Sequence, residues 1–220
     1  MSNNTSNFTS TGKIAASGNI MSLLYGDDYE GKVNLGGQNF CFYRLFGGCT
    51  GLITPPELPA TIVPYSGYHF MFEGCTSLVS APELPATTIA SYCYGEMFKN
   101  CTSLTTAPKL LPATTLAQTC YAGMFRNCTS LTTAPKLPAT TLQNKCYEDM
   151  FRDCTNLNYV KAYFTTEPST NYTKNWLLNV ASAGTFVANP SATWPSKITG
   201  SEHTVPSGWM IETTSDNIEI

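Results

Sequence analysis

Charge is what this chain has least of. Lysine and arginine number 12 and aspartate and glutamate 15 among 220 residues, which leaves a formal net charge of −3. The basic residues do not cluster, and this excludes the cationic stripe that a nucleic-acid partner requires. Histidine is scarcer still, with only His69 and His203. Neither has a sequence-level partner that would suggest a triad, so no catalytic residue is assigned. The cysteine spacing lacks the histidines and short intervals of a zinc site, so neither a metal nor a cofactor is expected. Asp27, Asp28 and Glu30 lack the alternating spacing of a calcium loop and read as a solvated turn. No run of 18 apolar residues occurs, which excludes a membrane-spanning helix. The opening MSNNTSNFTSTGK has no apolar stretch of the kind a signal peptide carries.

Repetition, by contrast, is abundant. The string Cys120–Pro138, CYAGMFRNCTSLTTAPKLP, recurs nearly unchanged at Cys93–Pro112 and begins again at Cys146. Five units carry an aromatic followed three residues later by a cysteine: Phe46/Cys49, Phe72/Cys75, Phe98/Cys101, Phe125/Cys128 and Phe151/Cys154. The cysteine steps are 26, 26, 27 and 26, and the longer one comes from the doubled Leu110-Leu111. That insertion is expected to bulge from a turn. Units this alike bury their apolar faces on one another, so the chain is a stacked array. Phe72, Phe98, Phe125 and Phe151 should then stand in single file. The remaining cysteines, Cys41, Cys93, Cys120 and Cys146, form a second series with Gly67 at its missing position. An odd total of nine, all on the lattice, favours small buried thiols over disulfides.

Within a unit two textures alternate. From Leu142 to Cys154 the apolar residues fall at offsets 0, 4, 5, 8, 9 and 12. That pattern predicts a helix of about three turns, with Thr141 as N-cap and, in an earlier unit, Pro64 in the first turn. The segment SLTTAPKLP is short and rich in threonine, and fits a brief strand paired with its copy in the next unit. Proline at Pro56, Pro82, Pro108 and Pro135 limits each strand to a few residues. Leu131 and Leu137 point inward in one phase while Ala134 belongs to the other.

Helix on one side and strand on the other describes an α/β solenoid: a right-handed leucine-rich-repeat array with short parallel strands, capped at both ends. The motif F-x2-C-x2-L followed by L-P-x2-T/I-L/I/V resembles the BspA-like leucine-rich repeats of bacterial surface proteins. The variant MFxxCTSLTTAPxLPATTL looks like the form found in gut Bacteroidetes and their phages. The resemblance covers residues 39–164, and departs from the family in a slightly longer unit and in NLNYVKAYF at the last repeat. It implies non-enzymatic adhesion to a protein or carbohydrate ligand at a bacterial surface, extracellular in location.

Three domains follow: an N-terminal polar segment and cap over 1–38, the solenoid over 39–164, and a C-terminal cap over 165–220. In the last, a helix is expected over Tyr172–Val180, closed by Gly184, then strands at Thr185–Ala188 and Trp209–Ile211. Trp176, Trp194 and Trp209 all lie there and are read as a plug for the open core rather than a carbohydrate platform.

Two surface columns are candidates for a binding face. One reads Glu57, Glu83, Lys109 and Lys136 along the stack. The other comprises Thr105-Thr106 and Thr132-Thr133, whose cross-strand pairs would each contribute about 0.2–1 kcal/mol. A solubilising edge that discourages end-to-end pairing is the blander use of the charged column. A structural or receptor-binding part of a phage virion, such as a fibre or decoration protein, is the alternative role. It is suggested by the lack of a leader, the unpaired thiols and the near-identical repeats.

Overall fold

The computed structural model describes residues 7–194 and 203–213. The chain winds into a parallel β-solenoid of about six turns. Every strand pair and every isolated bridge is parallel, as stacked coils require. Strand β1 (Ile14–Ala15) pairs with β2 (Leu52–Thr54), and β3 (Ile62–Val63) with β4 (Thr88–Ile89). At the far end β5 (Tyr159–Ala162), β6 (Gly184–Ala188) and β7 (Trp209–Thr213) form one three-stranded sheet. Between β4 and β5 the coils are joined by single bridges such as Ser80 to Thr106 and Thr133 to Tyr159. The prolines account for this brevity, since each withholds a ladder donor. A single helical turn, α1 (Ser22–Tyr25), and a 3-10 turn over Gly26–Tyr29 lie before the first full coil.

The expected helices are absent from the repeats. In their place each coil carries a ribbon of linked turns. Around Tyr68, the N–H groups of Ser66, Tyr68, Phe70, Phe72 and Gly74 donate to carbonyls of the next coil, at 2.8–3.2 Å. The intervening Gly67, His69, Met71, Glu73 and Cys75 donate three residues back along their own chain, at 3.0–3.4 Å. Half of the donors thus knit neighbouring coils while the other half close turns, so no i→i−4 ladder forms. The geometry needs positive φ at every fourth residue, as at Ser66, Phe70 and Gly74.

The apolar spacing carries the physical reason. A helix advances about 100° per residue, so residues spaced by fours drift about 120° around it over twelve positions. The offsets 0, 4, 8 and 12 at Leu142, Cys146, Met150 and Cys154 hold one face only if the backbone repeats every four residues. All four are buried. Thr141 and Pro64 therefore cap no helix. The same correction applies to Tyr172–Val180, where Asn175 and Asn179 have positive φ and the N–H groups of Tyr147, Asp149, Phe151 and Asp153 reach across to it.

Inside, like residues stand in files. Phe46, Phe72, Phe98, Phe125 and Phe151 stack face to face at 5.4–5.6 Å, with Phe8 capping the file at 5.5 Å. Phe42, Tyr68, Tyr94, Tyr121 and Tyr147 form a second file at 5.7–6.0 Å. The register of the second cysteine series is as expected. Phe42, Tyr68, Tyr94 and Tyr121 donate in turn to Gly67, Cys93, Cys120 and Cys146. All nine cysteines are free thiols, eight buried and Cys41 half-buried. In the first series four thiols donate back to a phenylalanine carbonyl one coil earlier, Cys75 to Phe46, Cys101 to Phe72, Cys128 to Phe98 and Cys154 to Phe125, at 2.9–3.2 Å, while Cys49 donates to the Ser10 carbonyl.

The doubled leucine does not bulge away. Leu111 takes the buried position, and Leu110 stays half-buried in a bridge to Lys136. Leu131, Ala134 and Leu137 are all buried, because this stretch holds isolated bridges and no continuous alternating strand. Trp176, Trp194 and Trp209 are buried in the last coils, and their indole N–H groups donate to the carbonyls of Thr204, Phe164 and Ala181. They are core, and none offers a ring to a sugar.

Candidate ligand-binding groove

The charged column of the strand side is real but divided. Lys136 N–H donates to the Lys109 carbonyl, and Leu137 N–H to the Lys161 carbonyl, both at 3.1 Å. Three lysines thus occupy successive coils, spaced by the strand separation of about 4.8 Å. They line a groove of about 470 Å³ together with Thr105, Thr106, Thr132, Thr133, Pro108 and Tyr159. All four threonines face water, as does the Tyr159 ring at 38 % exposure. The structure therefore gathers Lys109, Lys136 and the two threonine pairs into one place. Glu57 and Glu83 lie apart, in a separate hollow walled by Pro55, Pro56, Leu58, Pro59, Pro82 and Pro85.

Thr105 does not form a threonine-to-threonine ladder. Its hydroxyl donates to the Val79 carbonyl at 3.3 Å, and that oxygen also receives the N–H groups of Thr105 and Thr106. Tyr159 and Lys161 are the groove residues that the repeat pattern alone hides. They sit where NLNYVKAYF replaces SLTTAPKLP, and the signal lay in that departure. Tyr159 enters the ladder beside Thr133, and a step of 25 residues brings Lys161 beside Lys136.

The groove brings together three cations that, among the described residues, lack a carboxylate partner. On the turn ribbons most cations have carboxylate partners, Arg44 with Glu73, Lys99 with Glu73 and Glu96, Arg126 with Asp149, Lys145 with Glu148, and Arg152 with Asp149 and Asp153, while the exposed Lys174 has none among the described residues. Among the described residues Lys109, Lys136 and Lys161 have none. Lys161 instead lies 5.4 Å from the centre of the Tyr163 ring. Unscreened like charges about 5 Å apart repel by roughly 0.8 kcal/mol even at the dielectric of water.

The remaining reactive groups are committed elsewhere. His69 is half-buried on the ribbon, stacked on Phe70 at 4.1 Å, and burial lowers its pKa. Its ladder partners run through Gly95, then Ala122 and Glu148. Burial pushes the thiols of Cys75, Cys146 and Cys154 up to about 12, so they stay protonated, and those of Cys75 and Cys154 serve as donors. Among the described residues no three histidine, cysteine or acidic side chains gather as a metal site would need, and no helix is long and apolar enough to cross a membrane. No protein-family model, curated protein or solved structure matches the chain.

Proposed function

We propose that the protein is a non-enzymatic binding module that presents the strand side of its solenoid to an extended ligand. The observation that carries this reading is the groove across three coils, where unpaired lysines, exposed threonine hydroxyls and a tyrosine ring converge. The ladder holds the backbone beneath these side chains in register, so a ligand orders side chains alone on binding. The resemblance of the repeats to BspA-like leucine-rich repeats supports adhesion at a bacterial surface, to a protein or a glycan. Within that family reading the chain would be a leucine-rich-repeat relative whose helical side is replaced by turn ribbons.

A phage virion component is the second reading. Nine unpaired thiols favour it, because free buried cysteines suit a chain folded in a reducing cytoplasm before release. Mass photometry separates the two, with a stable trimer expected of a fibre and a monomer of an adhesin. The binding reading itself is tested on a glycan array and a panel of extracellular-matrix proteins. Binding that Tyr159→Ala weakens and Tyr65→Ala, on the ribbon side, leaves unchanged is the expected result. Binding indifferent to Tyr159→Ala, or none to any probe, contradicts it.

A further inference from the structure

We infer that the groove takes a linear acidic polysaccharide, laid along the solenoid axis with its carboxylate or sulfate groups at Lys109, Lys136 and Lys161. The inference rests on the binding reading above and names its ligand class. Three observations carry it. The three lysines share one groove and have no carboxylate within salt-bridge reach among the described residues, whereas Lys13, Lys32 and Lys174, which also have none, lie outside it. Lys136 bonds the Lys109 carbonyl and the adjacent Leu137 bonds the Lys161 carbonyl, so the lysine stems leave the backbone in a row about 10 Å long over two strand spacings. That is the reach of neighbouring sugar rings, and the long lysine stems tolerate anionic groups on successive or alternate rings.

The other lining groups match sugar chemistry. Exposed threonine hydroxyls donate to and accept from ring hydroxyls, and the Tyr159 ring offers an apolar face to a pyranose. The ends of the row limit what fits. Glu83 occupies the column position one coil before Lys109. Beyond Lys161 the parallel register passes through Val187 to Glu212, which is exposed. A densely charged polymer that continues past the row meets carboxylates at both ends. An acidic oligomer short enough to end with the row does not. The chain's net charge of −3 disfavours nucleic acid.

The experiment is titration calorimetry of the full chain against four probes: polygalacturonate oligomers, heparin oligomers, neutral dextran oligomers and single-stranded DNA. Binding to the acidic sugars, weakened by added salt, is expected, with dextran and DNA much weaker. Polygalacturonate over heparin assigns the carboxylate source, and the reverse assigns the sulfate source. The variant K109Q/K136Q/K161Q should weaken acidic-sugar binding about tenfold and flatten its salt dependence. K99Q, which removes a ribbon cation, should leave binding unchanged, and unaltered circular dichroism shows that both variants fold. Equal affinity for dextran, affinity for DNA as high as for the sugars, or binding untouched by the triple variant overturns the polysaccharide assignment. If none of the four binds while an array protein binds in a Tyr159-dependent way, the assignment falls and the binding reading stands. If nothing binds on either platform, both fall.

Discussion

Replacing Phe125 with alanine strikes the middle of the phenylalanine file. Phe125 is fully buried, with Phe98 5.4 Å on one side and Phe151 5.6 Å on the other. Truncating a buried phenylalanine costs about 3–5 kcal/mol, and each stacked pair adds about 0.5–1.5 kcal/mol beyond its area. Both pairs are lost here, and the coils on either side are pinned by backbone bonds that resist collapse into the cavity. The expected cost is therefore near the upper end, about 5 kcal/mol. Phe8 provides the internal comparison. It ends the file, stacks on Phe46 alone and is 51 % exposed. Its removal should cost only about 1–2 kcal/mol. Urea unfolding in reducing buffer measures both, read by tryptophan fluorescence and by far-ultraviolet circular dichroism. With a slope of about 2.5 kcal/mol/M, Phe125→Ala should lower the midpoint by about 2 M. Equal shifts for the two variants, or a cost below about 1 kcal/mol for Phe125→Ala, would refute the file as a principal source of stability.

The tyrosine file gives an opposite expectation. The hydroxyls of Tyr68, Tyr94 and Tyr121 are buried with no hydrogen-bond partner among the described residues, and Phe42 already occupies the same file without one. Tyr94→Phe should therefore leave stability unchanged or raise it by about 1 kcal/mol, and a loss of that size in urea unfolding would contradict the packing. Alkali should destabilise the fold. Thiols with an ordinary value of 9.0 are lifted to about 12 at Cys75, Cys146 and Cys154, so above pH 9 the unfolded chain releases protons that the folded one retains. The stabilisation from these raised values is complete below 9 and is lost as pH climbs toward 12. A urea midpoint that stays constant over that range contradicts the burial. Thiol titration without reductant should find nine reactive groups under denaturant and few in the native state, and seven or fewer under denaturant would mean disulfides are present.

Much of the architecture was legible because the repeats print it. The single file of phenylalanines, both cysteine series with Gly67 in the gap, and the brevity of strands next to proline all follow from residues recurring in register. The ribbon was not, and the reason is geometric. Periods of 3.6 and 4.0 share their first offsets, so Leu142, Cys146 and Met150 read as a helix until the drift is summed to Cys154. A second signal stood before each cysteine of the first series. Gly48, Gly74, Asn100, Asn127 and Asp153 all have positive φ and are the residue types that best accept it. Asn127 also bonds Asn100 across the coils at 2.9 Å. In the groove, Lys109, Lys136 and the threonine pairs were visible as columns. Separating them from Glu57 and Glu83, and adding Tyr159 and Lys161, required the actual ladder, because the step of 25 residues to Lys161 breaks the sequence register.

The central claim is that the repeats wind as parallel coils whose apolar fours form turn ribbons and not helices. Far-ultraviolet circular dichroism of the purified chain tests it most directly, since only the four residues of Ser22–Tyr25 are α-helical among the described residues. The expected spectrum lacks the paired minima of an α-helix. A spectrum with those minima at the strength of five three-turn helices would contradict the account.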